Sequence, residues 1–85
     1  MTFFFYLARC SDNSLYSGSC KDIKSREKMH NSGKGAKYTR SRLPIEIVYF
    51  EEHENRSEAC IRESAVKKFT KPQKESLVKS REIIR

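Results

Sequence analysis

The chain has 85 residues, with 18 Lys and Arg against 11 Asp and Glu and a net charge of +7. That length allows one domain, residues 1–85, built round a modest core. No stretch is apolar long enough to span a bilayer, and the opening Met1 to Tyr6 lacks the basic region of a signal peptide, so no membrane partner is expected. Cys10, Cys20 and Cys60 form no CxxC pair, which argues against zinc and a disulfide framework. Free buried thiols in a reducing cytoplasm are the expectation.

Residues 3–10 read as an aromatic-rich strand, stopped by the turn cluster Ser11-Asp12-Asn13-Ser14. Residues 15–20 read as a second strand returning antiparallel. Asp22 suits the N-cap of a helix over about 23–31. Asn31-Ser32-Gly33-Lys34-Gly35 closes that helix and opens a loop running to Pro44. Residues 45–52 form the clearest strand, β-branched at 45, 47 and 48. Asn55-x-x-Glu58 has capping-box character and starts a helix to about Phe69. Thr70, Pro72 and Gln73 start a third helix, to about Arg81. The order is β-β-α-β-α-α, an α+β chain.

Much of the positive excess sits in one acid-free run, Lys34, Lys37, Arg40 and Arg42, with Tyr38 between them. Such a patch holds phosphates by counterion release, and its aromatic can stack a base. Nucleic acid is the expected partner, ahead of a merely solvated surface; protein partners are not indicated. Gly33-x-Gly35 lacks the closing Lys-Ser/Thr of a P-loop. It reads equally as an open phosphate-contacting loop or as a surface turn.

Two helix faces are unusual. Ile23, Arg26, Glu27 and His30 share one, where an amphipathic helix would place apolar residues. Arg26 and His30, one turn apart, can reach a common phosphate, and a solvated face explains them equally well. On the next helix, Glu63 sits among Ala59, Cys60, Val66 and Lys67. A half-buried carboxylate needs a partner, and spacing alone favours an ion pair, with Lys67 one turn on or with a residue of the first helix, over a metal.

Tyr6 and Tyr16 lie on the two hairpin strands, where most tyrosines are core-edge residues. To serve one site they must leave the same face of the sheet. Cys10 opposite Tyr16, closing a loop over 11–15, would achieve that, as would a bulge; Arg9 opposite Tyr16 would separate them. Gly18 within a strand marks a bulge or a close approach.

These signals together resemble the GIY-YIG nuclease domain, found in the amino-terminal half of UvrC and in some phage-intron homing endonucleases. Phe4-Phe5-Tyr6 stands for the first triplet, keeping its Tyr, and Tyr16-Ser17-Gly18 for the second, keeping Tyr and Gly. Arg26 falls at the family's catalytic arginine, His30 four residues on, and Glu63 at the metal-binding glutamate. His30-Asn31-Ser32-Gly33-Lys34-Gly35-Ala36-Lys37-Tyr38-Thr39-Arg40, with Leu43-Pro44 and Val48-Tyr49, is more specific. It is similar to the small stand-alone bacterial, YhbQ-like members over nearly the whole chain.

The resemblance implies a three-stranded antiparallel sheet flanked by three helices. It also implies a metal-dependent endonuclease hydrolysing phosphodiesters, most readily of DNA, in repair or recombination-type processing. One divalent ion, Mg²⁺ or Mn²⁺, would sit on Glu63, and Arg26 would hold a non-bridging oxygen. Tyr6 or Tyr16 would orient or deprotonate the water, with His30 as the rival base. Two departures stand out. Phe4 and Phe5 replace the first triplet's Gly and Ile. Glu27 replaces an apolar residue, and it either pairs with Lys24 at the surface, weakens the helix packing or turns into the site. The alternative function is a non-catalytic basic module that only binds nucleic acid.

Overall fold

The computed structural model describes residues 2–84, with side chains through residue 80. Its elements in chain order are β1 (Phe3–Arg9), β2 (Leu15–Cys20), α1 (Ile23–Asn31), α2 (Lys37–Arg40), β3 (Glu46–His53), α3 (Arg56–Lys67) and α4 (Lys71–Ile84). The three strands form an antiparallel sheet ordered β2-β1-β3. This is the expected α+β architecture with one element added. The one-turn α2 lies in what the sequence presents as loop, because four residues are too few to show a helical period.

Each long helix starts where its cap lies. Asp22 accepts the Ser25 N–H at 2.9 Å, and Asn55 accepts that of Glu58 at 2.9 Å. Glu58 reaches back one residue beyond the cap, to the Glu54 N–H at 3.4 Å. Thr70 and Gln73 close a reciprocal box at the head of α4.

The hairpin turns one residue earlier than expected. The Cys10 N–H bonds the Ser14 carbonyl at 2.9 Å, Asp12 accepts the Ser14 N–H, and Asn13 takes a left-handed φ of 70°. Arg9 therefore pairs with Leu15, Ala8 with Tyr16 and Tyr6 with Gly18. The register differs by two from a Cys10–Tyr16 pairing, so the parity is unchanged and Tyr6 and Tyr16 leave the same face.

The sheet has two clad faces. On one, Phe5, Leu7 and Leu15 pack with Val66, Phe69, Leu77 and Val78 from α3, α4 and their junction. On the other, Tyr6, Ala8, Cys10 and Cys20 pack with Ile23, Leu43, Ile45 and Phe50. Cys10, Cys20 and Cys60 are free thiols; the first two are buried and Cys60 is half-buried. No helix among the described residues is long and apolar enough to cross a membrane.

Two side chains of α1 lock it to β3 and the residue just before it. Asn31 makes a paired contact with Ile45, accepting its N–H at 2.7 Å and donating to its carbonyl at 3.0 Å. A bulge shifts the β1–β3 register from Leu7–Tyr49 to Ala8–Ile47, and Glu27 accepts the Ile47 N–H at 2.8 Å. Glu27 thus forms a structural hydrogen bond with β3, which is none of the three alternatives its sequence position offers: pairing with Lys24, weakened helix packing or a turn into the site. At the same end of β1, Arg9 grips Glu75 of α4 through two bonds of 2.7 Å.

Candidate active site

The face under α1 and α2 gathers the chemical groups. The Tyr6 hydroxyl and His30 Nε2 lie 2.8 Å apart in a buried contact, and His30 Nδ1 lies 2.8 Å from Thr39 Oγ1. The Thr39 hydroxyl proton is directed to the Ala36 carbonyl at 2.9 Å. Thr39 can therefore only accept from His30, so Nδ1 carries the hydrogen and Nε2 is bare. The Tyr6 O–H donates to that bare nitrogen. Burial pushes the Tyr6 phenol well above its ordinary range, with the neighbouring Tyr16 adding to the shift and Arg26 opposing it. Burial, and then the Arg26 charge, lower His30 below its usual value, so the imidazole is held neutral.

Two glycines make room for this triad. A Cβ on Gly18 would lie 2.5 Å from the Tyr6 hydroxyl oxygen, and one on Gly35 would fall on the His30 ring. Gly18 is thus a close approach, with the Tyr6 ring lying across it. Gly35 plays the same part where the α1–α2 loop passes His30. The left-handed residue of that loop is Gly33, with φ of 84°.

Tyr16 is less buried than Tyr6, and its hydroxyl makes no hydrogen bond among the described residues. Its ring centroid is 5.6 Å from that of His30 and 5.9 Å from that of Tyr38, the latter nearly parallel at 24°. The Tyr38 stack and the Thr39 bond together dock α2 on the site. Lys34, Lys37 and Arg40 are exposed beside it. Arg42 differs from them. Its guanidinium lies 3.9 Å from the Tyr38 ring centroid, pairs with Asp12 at 3.0 Å and donates to the Tyr38 carbonyl. Arg42 is therefore already engaged within the loop, unlike its neighbours in the basic run.

Arg26, on α1, makes no hydrogen bond or ion pair among the described residues, yet its charge acts on Tyr6, Cys20 and His30. Glu63 acts on Tyr6 from α3, which packs on β1 and β2. Its side chain is 19% exposed and bonded at 2.9 Å to Lys67, one turn on. Arg62, its sequence neighbour, points elsewhere. It forks onto Glu51 at 3.0 Å, and Glu51 also takes the Tyr49 hydroxyl and His53. Burial pushes the Tyr49 phenol up to about 12, and its bond to Glu51 adds to the rise.

Sequence reasoning singles out Tyr6, Tyr16, Arg26, His30 and Glu63, which share this neighbourhood, and misses Thr39 and Gly35. The signal available for both is their closeness to His30 in a docked loop, which spacing alone does not reveal. Among the described residues no group of three His, Cys, Asp or Glu could form a metal cage. A single half-buried carboxylate within electrostatic reach of the Tyr6 phenol suits a hard divalent cation that keeps most of its waters.

This fold and face define a GIY-YIG domain. The profile of the GIY-YIG catalytic domain matches residues 2–76, and the chain belongs to that family of nucleases. It is 47% identical to a Staphylococcus aureus UPF0213 protein over 78 residues, covering 92% of this chain and 95% of the relative. A UPF0213 protein of Bacillus halodurans, solved by solution NMR, is 40% identical with a TM-score of 0.59, over 93% of this chain and 84% of that one. A solution structure from E. faecalis is also 40% identical, with a TM-score of 0.63, over 98% and 88%.

Proposed function

We propose that the protein is a cytoplasmic, metal-dependent endonuclease that hydrolyses phosphodiester bonds, with DNA as substrate in repair or recombination-type processing. The observation that carries this reading is the oriented Tyr6–His30–Thr39 chain within electrostatic reach of Arg26, which is unpaired among the described residues. A buried tyrosine needs only one partner for its hydroxyl. Here the partner is a bare imidazole nitrogen whose tautomer is fixed from behind. That is a route for a proton.

In this reading a water gives its proton to the Tyr6 oxygen as the phenol's own proton passes to His30 Nε2. The imidazolium so formed keeps its Nδ1–H on Thr39. Tyr6 is thus the contact base, and His30 acts through it. The lowered His30 value makes the transfer transient, since burial and Arg26 both disfavour the extra charge. Arg26 holds a non-bridging oxygen through its planar fork. The free Tyr16 hydroxyl orients the water or the phosphate. Glu63 would hold one Mg²⁺ or Mn²⁺, which when bound offsets charge on the scissile phosphate and the leaving oxygen. Lys34, Lys37 and Arg40 position the backbone, with Tyr38 at the border.

The Glu63–Lys67 ion pair supports the second reading, a binding module without catalysis. Plasmid nicking with Mg²⁺ or Mn²⁺ separates the two. Glu63→Ala should abolish cleavage and leave binding intact, whereas Arg26→Ala should abolish cleavage and weaken binding as well. Wild-type protein that nicks nothing, with a Glu63→Ala variant that only melts earlier, would establish the binding module instead.

A further inference from the structure

Lys67 contacts the carboxylate to which a divalent ion is assigned, so ion and ammonium compete for one group. Lys67 Nζ lies 2.9 Å from Glu63 Oε2, and its side chain is 55% exposed while that of Glu63 is 19% exposed. The ammonium also lies within electrostatic reach of Tyr16 and of Lys74. Lys74 is half-buried, and its side chain has neither a hydrogen bond nor an ion pair among the described residues. Two ammoniums near one another, one partly desolvated and without an acid, repel and favour an anion between them. Among the described residues, Glu63 is the acid paired with Lys67.

We propose that Lys67 exchanges partners during loading. It neutralises Glu63 while the cation is absent. Once a divalent cation takes the carboxylate, the freed ammonium joins Lys74 in holding a substrate phosphate beside Tyr16. The exchange rests on Glu63 being the metal ligand. No bond is made or broken covalently, and the total charge at Glu63 stays compensated throughout. Lys67 is therefore a positioning residue that links occupancy of the cation site to grip on the polyanion. Such linkage is reciprocal, so the polyanion also favours the loaded state.

The test titrates Mn²⁺ alone into wild type, Lys67→Met and Lys74→Met, following free Mn²⁺ by electron paramagnetic resonance. Lys67→Met should bind Mn²⁺ about three- to fivefold tighter, the upper end of what a partly exposed i,i+4 ion pair contributes. Lys74→Met removes the same charge without touching Glu63 and should stay within about twofold, which controls for the general field. At saturating Mn²⁺, both variants should raise KM for an oligonucleotide several-fold with kcat little changed. Equal Mn²⁺ affinity in wild type and Lys67→Met overturns the exchange while leaving Glu63 as ligand. Tighter Mn²⁺ binding with an unchanged KM removes the phosphate half and overturns the proposal. Absence of Mn²⁺ binding in both proteins overturns it together with the nuclease reading. Both positions are at the surface or its edge, so a melting curve for each variant verifies the fold.

Discussion

The Tyr6 hydroxyl donates to His30 Nε2 across 2.8 Å, joining the middle of β1 to the last turn of α1, 24 residues on. Its direction is set by a third residue, Thr39, whose own proton is already committed to Ala36. The chain therefore has a definite polarity, from phenol to imidazole to hydroxyl to carbonyl.

Thr39→Val keeps the shape and removes the acceptor behind Nδ1. The imidazole should move its hydrogen to Nε2, leaving Tyr6 facing a donor. The buried mismatch should cost about 1–3 kcal/mol. Cleavage should fall by about 10²-fold or more, the scale of a lost general base. Nitrogen chemical shifts of the ring read the tautomer; an unchanged Nδ1–H form would contradict the polarity.

Gly18→Ala puts a methyl 2.5 Å from the Tyr6 hydroxyl oxygen and 2.6 Å from its Cζ. Contacts this short force the ring to move, which takes the hydroxyl away from His30 Nε2. A destabilisation of about 1–3 kcal/mol is expected, as for other overpacked cores. Cleavage should disappear while binding through the α2 loop persists, and anisotropy with a labelled oligonucleotide checks the latter.

Within the basic run, the residues should divide by their present engagement. The Lys37→Ala/Arg40→Ala double variant should flatten the salt dependence of duplex binding by about 0.9 log unit for each phosphate no longer neutralised. Arg42→Ala should leave that slope nearly unchanged and instead lower the melting temperature, since it releases Asp12 and Tyr38. Equal slopes for wild type and the double variant would make the patch a solvated surface.

Glu27→Leu introduces the apolar residue that an amphipathic helix would place here, yet should destabilise this chain. It leaves the Ile47 N–H at the β3 bulge without its acceptor. The expected cost of about 1–2 kcal/mol lowers the midpoint by roughly 4–16 °C in a domain this small. A melting curve no lower than wild type would show that the bulge finds another acceptor.

Acid should loosen α4. Arg9, and then Lys71, hold the Glu75 carboxyl down at about 2, below the ordinary carboxylate value of ~4.3. A depressed acid stabilises the fold above its unfolded value. That stability is present at neutral pH and is lost as the pH falls from about 4.5 towards about 2. The pair is about one-third exposed, so solvent screening leaves a contribution on the order of 1 kcal/mol. Glu75→Gln should remove that part of the acid dependence, seen as a flatter plot of melting temperature against pH.

The sequence by itself determined the elements and their ends. Asp22, Asn55 and the Thr70–Gln73 box cap the helices that follow them, as expected, because a cap is completed within three residues of chain. Strand alternation also limited the hairpin to two classes of register, one of which puts Tyr6 and Tyr16 on one face. Only the tertiary structure chose that class, through the Cys10–Ser14 bond and the left-handed Asn13. It likewise decided that Thr39 backs His30, that Glu27 serves β3, that Arg42 is bound within its loop and that Glu63 rests on Lys67. Among these, the Glu63–Lys67 pair is the one its spacing offers, as one of two partners. For the others, sequence supplies the donors and acceptors, but hydrogen bonding between groups 9 to 30 residues apart is selected by which surfaces the packed sheet and helices bring together.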